Sequence, residues 1–253
     1  IVKINDQSTI DMTVEDAVTH IRGEKGTEVK LLIERLGTDA LLEFRIVRET
    51  IKVPTIKWSK KTSDIAYIKI HNFFGGVEYD FINALKEAQA DGARKLIIDL
   101  RDNPGGLLDA SINIAAQFIP KGKIIVSADF GAGKDKNEFI SPGGGIAETM
   151  PVVVLINGGS ASASEILAGA LKDSKSATLI GEKSFGKGTI QEVIRLAGGT
   201  TMKITTAQWL RPSGKAFEEH GIDPDIALPL TDEDRQAGRD PQLDKALSVL
   251  QGM

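Results

Sequence analysis

The octapeptide Gly158-Gly159-Ser160-Ala161-Ser162-Ala163-Ser164-Glu165 sets three hydroxyls among small residues, just after the apolar run Val152 to Ile156. Downstream, Phe185-Gly186-Lys187-Gly188 carries a lysine between two glycines, which lets the backbone bring an amine close to a neighbouring loop. A hydroxyl and an amine presented this way are the nucleophile and base of acyl-transfer chemistry that uses lysine in place of histidine. Ser160, Ser162 and Ser164 compete for the first role. A nucleophile at a strand-to-helix turn gains from the helix N-terminus, and the amide of the following residue can donate to a developing oxyanion. Ser162 fits that turn best, with Ala163 next. The stretch Ser162-Ala163-Ser164-Glu165 also reads as the capping box Ser-x-x-Glu, which needs no chemistry at all. The alanines on either side of Ser162 favour the reactive reading, because a cap does not require small neighbours and a nucleophile approached by a peptide does.

Lys187 is the candidate base. A lysine ordinarily titrates near ~10.4 and must be dehydrated to act as a base at neutral pH. Phe185, Gly186 and Gly188 give it an uncharged neighbourhood, although Gly-Lys-Gly is also a common exposed turn. Gly181 to Lys187 approaches a phosphate-binding loop, but Gly188 stands where the magnesium-binding hydroxyl belongs and a strand follows where a helix is needed. Of the three histidines, His20 reads as a surface residue, His71 ends a strand beside Asn72-Phe73-Phe74, and His220 lies in a loop. A Ser-His pair stays open as the weaker alternative. No His/Glu cluster has zinc-like spacing. A second glycine loop, Asn103-Pro104-Gly105-Gly106, follows a strand and opens a helix, so its amides are placed to complete an oxyanion hole.

These groups are positioned by an α/β chain of 253 residues with 41% hydrophobic residues, a net charge of −4 and no cysteine. Thiolate catalysis and disulfides are excluded, nothing recommends a nucleic acid partner, and no apolar run approaches the ~20 residues of a membrane span. The chain begins at Ile1 inside an apparent strand, which reads as a fragment or processed form. Residues 1–50 form one unit: a short strand over Ile1 to Asn5, a helix capped by Thr13 with Asp16 three residues on, and strands over Glu28 to Arg35 and Leu41 to Arg48 around the turn 36–39. Val14, Ala17, Val18 and Ile21 share one face of that helix.

Residues 51–253 alternate strands and helices. Strands are expected over Ile65 to Ile70, Lys95 to Leu100, Lys123 to Ala128, Val152 to Ile156, Thr178 to Ile180, Thr189 to Arg195 and Met202 to Trp209, the later ones as an antiparallel addition. Helices are expected over Val77 to Ala90, Leu108 to Phe118 and Ser164 to Leu171. Gly131 to Gly145 reads as a mobile loop.

Four ordered motifs resemble the carboxyl-terminal processing proteases, the PDZ-containing tail-specific serine peptidases of family S41: Leu100-Arg101-Asp102-Asn103-Pro104-Gly105-Gly106-Leu107, Gly159 to Ile166, Phe185 to Gln191, and Arg211-Pro212-Ser213-Gly214 with His220-Gly221-Ile222-Asp223-Pro224-Asp225. The likeness covers nearly the whole chain. It implies an α/β fold with a crotonase/ClpP-like layered core, and residues 1–50 as the C-terminal part of a PDZ domain. It implies Ser162 as nucleophile, Lys187 as general base and Gln191 orienting the lysine. The oxyanion hole would come from the Ala163 amide and one of Gly105 and Gly106, with Gly106 favoured. No cofactor or metal is implied. The implied partners are proteins or peptides with apolar C-termini, in an extracytoplasmic compartment, with any membrane association through a segment ahead of this chain. The front of the PDZ domain is missing, which bears on tail recognition and regulation. Two further readings stand beside this one: a catalytically silent tail-binding scaffold, and a crotonase-like acyl-CoA enzyme, whose fold also uses glycine-rich oxyanion loops but needs no nucleophilic serine.

Overall fold

The computed structural model describes the chain apart from residues 36, 38–39, 51–53, 132, 176, 197–199 and 218–220. It divides into two units, Ile1–Val53 and Pro54–Met253. The expected boundary at residue 50 adjoins residues outside the described set, as does most of the turn 36–39.

The first unit is a four-stranded antiparallel sheet with one helix: β1 (Lys3–Ile4), β2 (Gln7–Ser8), α1 (Val14–Ile21), β3 (Glu28–Ile33) and β4 (Leu42–Val47), in the order β2-β1-β3-β4. The capping box forms at the expected place, Thr13 accepting from the Asp16 amide while the Asp16 carboxylate accepts from the Thr13 amide. Its core is small. Ile4, Val29 and Leu31 are buried, and from α1 only Ala17 and Ile21 pack on them. Val14 and Val18, read on the same helical face as Ala17 and Ile21, are exposed.

The second unit continues with β5 (Ile56–Lys60), β6 (Ile65–Ile70), α2 (Val77–Ala90), β7 (Lys95–Asp99), α3 (Leu108–Ala115), β8 (Ile124–Asp129), β9 (Asn137–Ile140) and β10 (Val152–Ile156). Then come α4 (Ala163–Lys175), β11 (Thr178–Gly181), β12 (Thr189–Arg195), β13 (Thr201–Leu210), β14 (Ile226–Ala227), α5 (Asp232–Gln236) and α6 (Pro241–Gln251). Six strands form one sheet in the order β14-β11-β10-β7-β6-β5, parallel throughout except for the antiparallel edge β5. Val152 to Ile156 is wholly apolar because both its faces are covered. Val152, Val154 and Ile156 face a core shared with Phe81 and Leu85 of α2, Ile114 of α3 and Leu167 and Leu171 of α4. Val153 and Leu155 face the other side with Ile97 and Ile180, where Ala246 and Leu250 of α6 close the layer. Each such side chain, fully buried, contributes about 1.5–3 kcal/mol.

An antiparallel sheet, β12-β13-β8-β9, joins this core through β8. It contains a correction: the stretch expected as a mobile loop holds β9, paired to β8, and its flanks are tied down. Ser141 donates its hydroxyl to Ile119 O, and the Gly144 and Gly145 amides donate to Glu148 Oε1. Glycine content marks turns, but here the turns bracket a strand too short to announce itself. Among the described residues no helix is long and apolar enough to cross a membrane.

Candidate active site

Because β7, β10 and β11 are parallel neighbours, the loops after them emerge side by side at one edge of the sheet. These are the loops of Gly105-Gly106, of the three serines and of Lys187. The serine turn stands in the middle, with the other two on opposite flanks.

The three serines separate by their hydrogen bonds. Ser160 is buried, donates its hydroxyl to Leu100 O at 2.8 Å and accepts from the Asn157 amide at 3.0 Å. Ser164 is buried and donates to Asn103 O at 2.9 Å. Both stitch the turn to the loop after β7. Ser162 is half-buried, and no described residue bonds its hydroxyl. It sits at φ 55°, in the left-handed region that costs a non-glycine residue about 1–2 kcal/mol, held there by its neighbours. Only half of the capping box forms: Glu165 Oε2 accepts from the Ser162 amide at 2.9 Å, while the serine hydroxyl caps nothing.

The buried Glu165 carboxylate does more than cap. Oε2 also accepts from the Lys187 amide at 2.9 Å, and Oε1 accepts from the Gly186 amide and the Ser184 hydroxyl, each at 2.7 Å. One side chain therefore fixes the nucleophile turn and the lysine loop to a common point. The Phe185 amide adds a bond to Ser160 O at 3.0 Å. Sequence reasoning placed Glu165 only in a cap; the available signal was its position in the first turn of a helix that itself lies inside the core. Lys187 is exposed, and no described carboxylate lies within ion-pair distance of its amine. Its chain neighbours are uncharged as read, two glycines and Phe185, which is itself 66% exposed. Gln191, also exposed, lies on β12 opposite Thr205, just after a bulge at Ile190.

The glycine pair has two distinct parts. The Gly105 amide donates to Asn103 Oδ1 at 2.9 Å. Its Cα presses on the nucleophile turn: at φ 98°, an added Cβ would lie 2.6 Å from Ala161 O and 2.9 Å from Ser162 Cβ. Gly106 forms a parallel bridge with Phe73, in which the Phe73 amide donates to Gly105 O and the Leu107 amide to Phe73 O. In that pattern the bridge uses neither polar group of Gly106, whose own N–H turns away from Phe73. No described residue accepts from the Gly106 or Ala163 amide.

Behind the loop, Arg101 is buried between Asp99 and Asp240, donating to both oxygens of each at 2.7–3.0 Å, and to Gln242 Oε1 at 2.9 Å. The Tyr67 hydroxyl donates to Asp99 Oδ2 at 2.6 Å. Burial pushes the Tyr67 phenol up, and the Asp99 charge adds to the rise. The cluster anchors the end of β7 to the start of α6. His71 lies near it, its imidazole pushed below the ordinary value by burial and then by Lys69. His71 does not bond Ser162, and His20 is exposed on α1 of the first unit. His220 lies outside the described residues.

The model of peptidase family S41 matches residues 64–228, which contain all three loops. The chain belongs to peptidase family S41. This S41 chain is 40% identical over 233 residues to the carboxy-terminal-processing protease of Bartonella bacilliformis, covering 89% of the chain and 52% of that protein. It is 39% identical over 232 residues to the carboxy-terminal processing protease CtpA of Bacillus subtilis, covering 92% of the chain and 49% of that protein. The S41 chain thus spans about half the length of these relatives. Among solved structures, a photosystem II D1 C-terminal processing protease superposes with a TM-score of 0.71 at 27% identity, covering 90% of the chain and 62% of that structure.

Proposed function

We propose that the chain carries the catalytic machinery of a serine endopeptidase with a Ser-Lys dyad. Ser162 Oγ attacks the scissile carbonyl and passes its proton to the neutral amine of Lys187. The oxyanion is held by the amides of Gly106 and Ala163. The lysine returns the proton to the leaving amine, and water then hydrolyses the acyl-enzyme. Gln191 orients the Lys187 amine. Gly105 serves by close packing, since its amide is already committed to Asn103. The observation that carries this reading is the sorting of the serines: of three in the motif, only Ser162 has a hydroxyl left for chemistry, on a turn that Glu165 ties to the lysine loop. Lys187 is exposed, so its dehydration is assigned to the bound peptide covering it.

The names of the relatives support proteins processed at their C-termini as substrates; a preference for apolar tails is part of the proposal. On this reading residues 1–50 are the later part of a PDZ domain, residues 51–253 have a crotonase/ClpP-like core, and the work is done outside the cytoplasm.

The test is cleavage of an unfolded protein with an apolar C-terminal tail, with labelling by a serine-reactive phosphonate. Ser162→Ala should abolish both while the protein stays folded, and Lys187→Ala should be nearly as severe. Cleavage retained by Ser162→Ala overturns the nucleophile; cleavage retained by Lys187→Ala points to a histidine base. A wild-type protein that binds tails but neither cleaves nor labels would be the silent scaffold.

A further inference from the structure

We infer that Ser184 is a positioning residue: its hydroxyl, held by Gly221 and Ile222, aims the Glu165 carboxylate that joins the serine turn to the lysine loop. The inference rests on the Ser-Lys reading and adds to it a task for the fourth sequence motif, which the dyad leaves without one.

Three observations carry it. First, the Ser184 hydroxyl is buried and has two partners: it accepts from the Ile222 amide and donates to Glu165 Oε1, each at 2.7 Å. With the Ile222 N–H on one lone pair, the hydroxyl hydrogen is turned to the carboxylate, so this bond has a fixed direction. Second, Ile222 is a firm support. Its side chain is fully buried in the main core, and the Ser184 amide donates back to Ile222 O at 3.2 Å. Third, Gly221 lets the two segments touch. At φ 57°, a Cβ there would overlap Ser184 O and lie 3.0 Å from Ser184 Oγ.

The far end of the same segment is fastened too. The Asp225 amide donates to Leu179 O at 2.8 Å, Asp225 Oδ2 accepts from the Leu179 amide at 2.8 Å, and Lys172 donates to Asp225 Oδ1 at 2.6 Å. The segment is thereby bound to β11, which leads into the lysine loop, and to α4, which begins at the serine turn. Of the four donors on Glu165, the Ser162, Gly186 and Lys187 amides belong only to the two loops being aligned. Ser184 alone brings in this separately anchored segment. Without its hydroxyl, Oε1 keeps only Gly186, and the buried Ile222 N–H is left without its acceptor. The carboxylate can then turn, and the spacing of Ser162 and Lys187 is set less tightly.

The experiment measures peptide cleavage and phosphonate labelling for wild type, Ser184→Ala, Ser184→Thr and Gly221→Ala, each well below its melting temperature. The labelled fraction counts folded protein, and the labelling rate reports the alignment within that fraction. Ser184→Ala should lower kcat and the labelling rate about tenfold to a hundredfold with KM little changed, the scale of a displacement of up to ~1 Å at the reacting groups. Ser184→Thr keeps the hydroxyl and should recover most of the rate. Gly221→Ala leaves the hydroxyl present but pushes Ser184 aside, and should slow labelling in the same way. A Ser184→Ala protein whose labelled fraction falls while its rate stays within about threefold of wild type overturns the inference and leaves the dyad intact. So does Gly221→Ala labelling at the wild-type rate, and Ser184→Thr as slow as Ser184→Ala would assign the effect to packing and overturn it as well. A wild-type protein that neither labels nor cleaves removes the dyad and this inference together.

Discussion

Glu165→Gln is the substitution that bears hardest on the site's construction. It keeps the shape of the side chain and changes one acceptor oxygen into an NH2 group. Glu165 accepts four hydrogen bonds, two on each oxygen. If the amide oxygen keeps Ser184 and Gly186, its NH2 faces the amides of Ser162 and Lys187, two donors against a donor. In the other orientation Ser184 can accept, but Gly186 is stranded and the oxygen serves Ser162 and Lys187 alone. Each displaced donor costs about 1–3 kcal/mol. The second orientation strands one donor against two and is the one adopted; Gly186 is half-buried, so water recovers part of the loss, and about 1–2 kcal/mol is expected. With the Gly186 anchor lost, the Lys187 loop can drift relative to Ser162, and a displacement of ~1 Å can lower the rate about a hundredfold. Steady-state peptide cleavage should therefore show kcat reduced about a hundredfold with KM little changed, a pattern that marks loss of transition-state alignment. Phosphonate labelling should slow in parallel, and the melting temperature should fall. A Glu165→Gln protein that melts lower yet cleaves within about threefold of wild type would refute the reasoning, because the carboxylate would then support the fold and not the alignment.

Gly105→Ala should fold poorly or be inactive, since its Cβ would sit 2.6 Å from Ala161 O at φ 98°; a melt and labelling assay equal to wild type would contradict the packing described here. Arg101→Met leaves Asp99 buried without its main partner and should destabilise the protein by about 3–5 kcal/mol in urea titration, whereas less than about 1 kcal/mol would show that the cluster is dispensable. The raised Tyr67 phenol predicts a pH dependence. A group whose folded value lies above its unfolded value, here ~10, contributes stability below that value and loses it as pH rises through the folded one. Alkaline titration followed by phenolate absorbance should find one of the two tyrosines ionising late, with stability falling as it does; early ionisation of both would count against the Tyr67–Asp99 bond.

The elements legible in the sequence were those whose pattern is set locally and strongly. Ile65–Ile70, Val77–Ala90 and Val152–Ile156 run as read, because alternation, helical period or an unbroken apolar run each specify one burial geometry. The edge strand Ile56–Lys60 went unread because one face is wet and its residues are mostly half-buried or exposed. The helix Pro241–Gln251 had a signal that was passed over, Asp240 as cap with proline in the first turn. Its importance was less visible still, since it closes the second face of the sheet, on strands that precede it by sixty to more than a hundred residues.

The site divides along the same line. That a serine of this motif and a nearby lysine could work together was legible from residue types. The strand-to-helix turn already favoured Ser162; what occupies the other two hydroxyls, and what ties the Lys187 loop to that turn, was not legible. Ser160, Ser162 and Ser164 differ only in what their hydroxyls meet, and the partners of Ser160 and Ser164 lie on the loop after β7, about sixty residues earlier. Glu165 gathers donors from 184–187, about twenty residues later. Both sets of contacts exist because β7, β10 and β11 lie side by side, and the order of parallel strands is a global property that no local pattern encodes. The clasp has a mechanistic corollary. It holds the Lys187 backbone and leaves the side chain free, so Glu165 fixes where the amine is anchored and not how dry it is. On the proposed Ser-Lys reading, alignment is built into the folded unit while a bound peptide supplies the covering of the loop, which couples the base to the presence of its substrate.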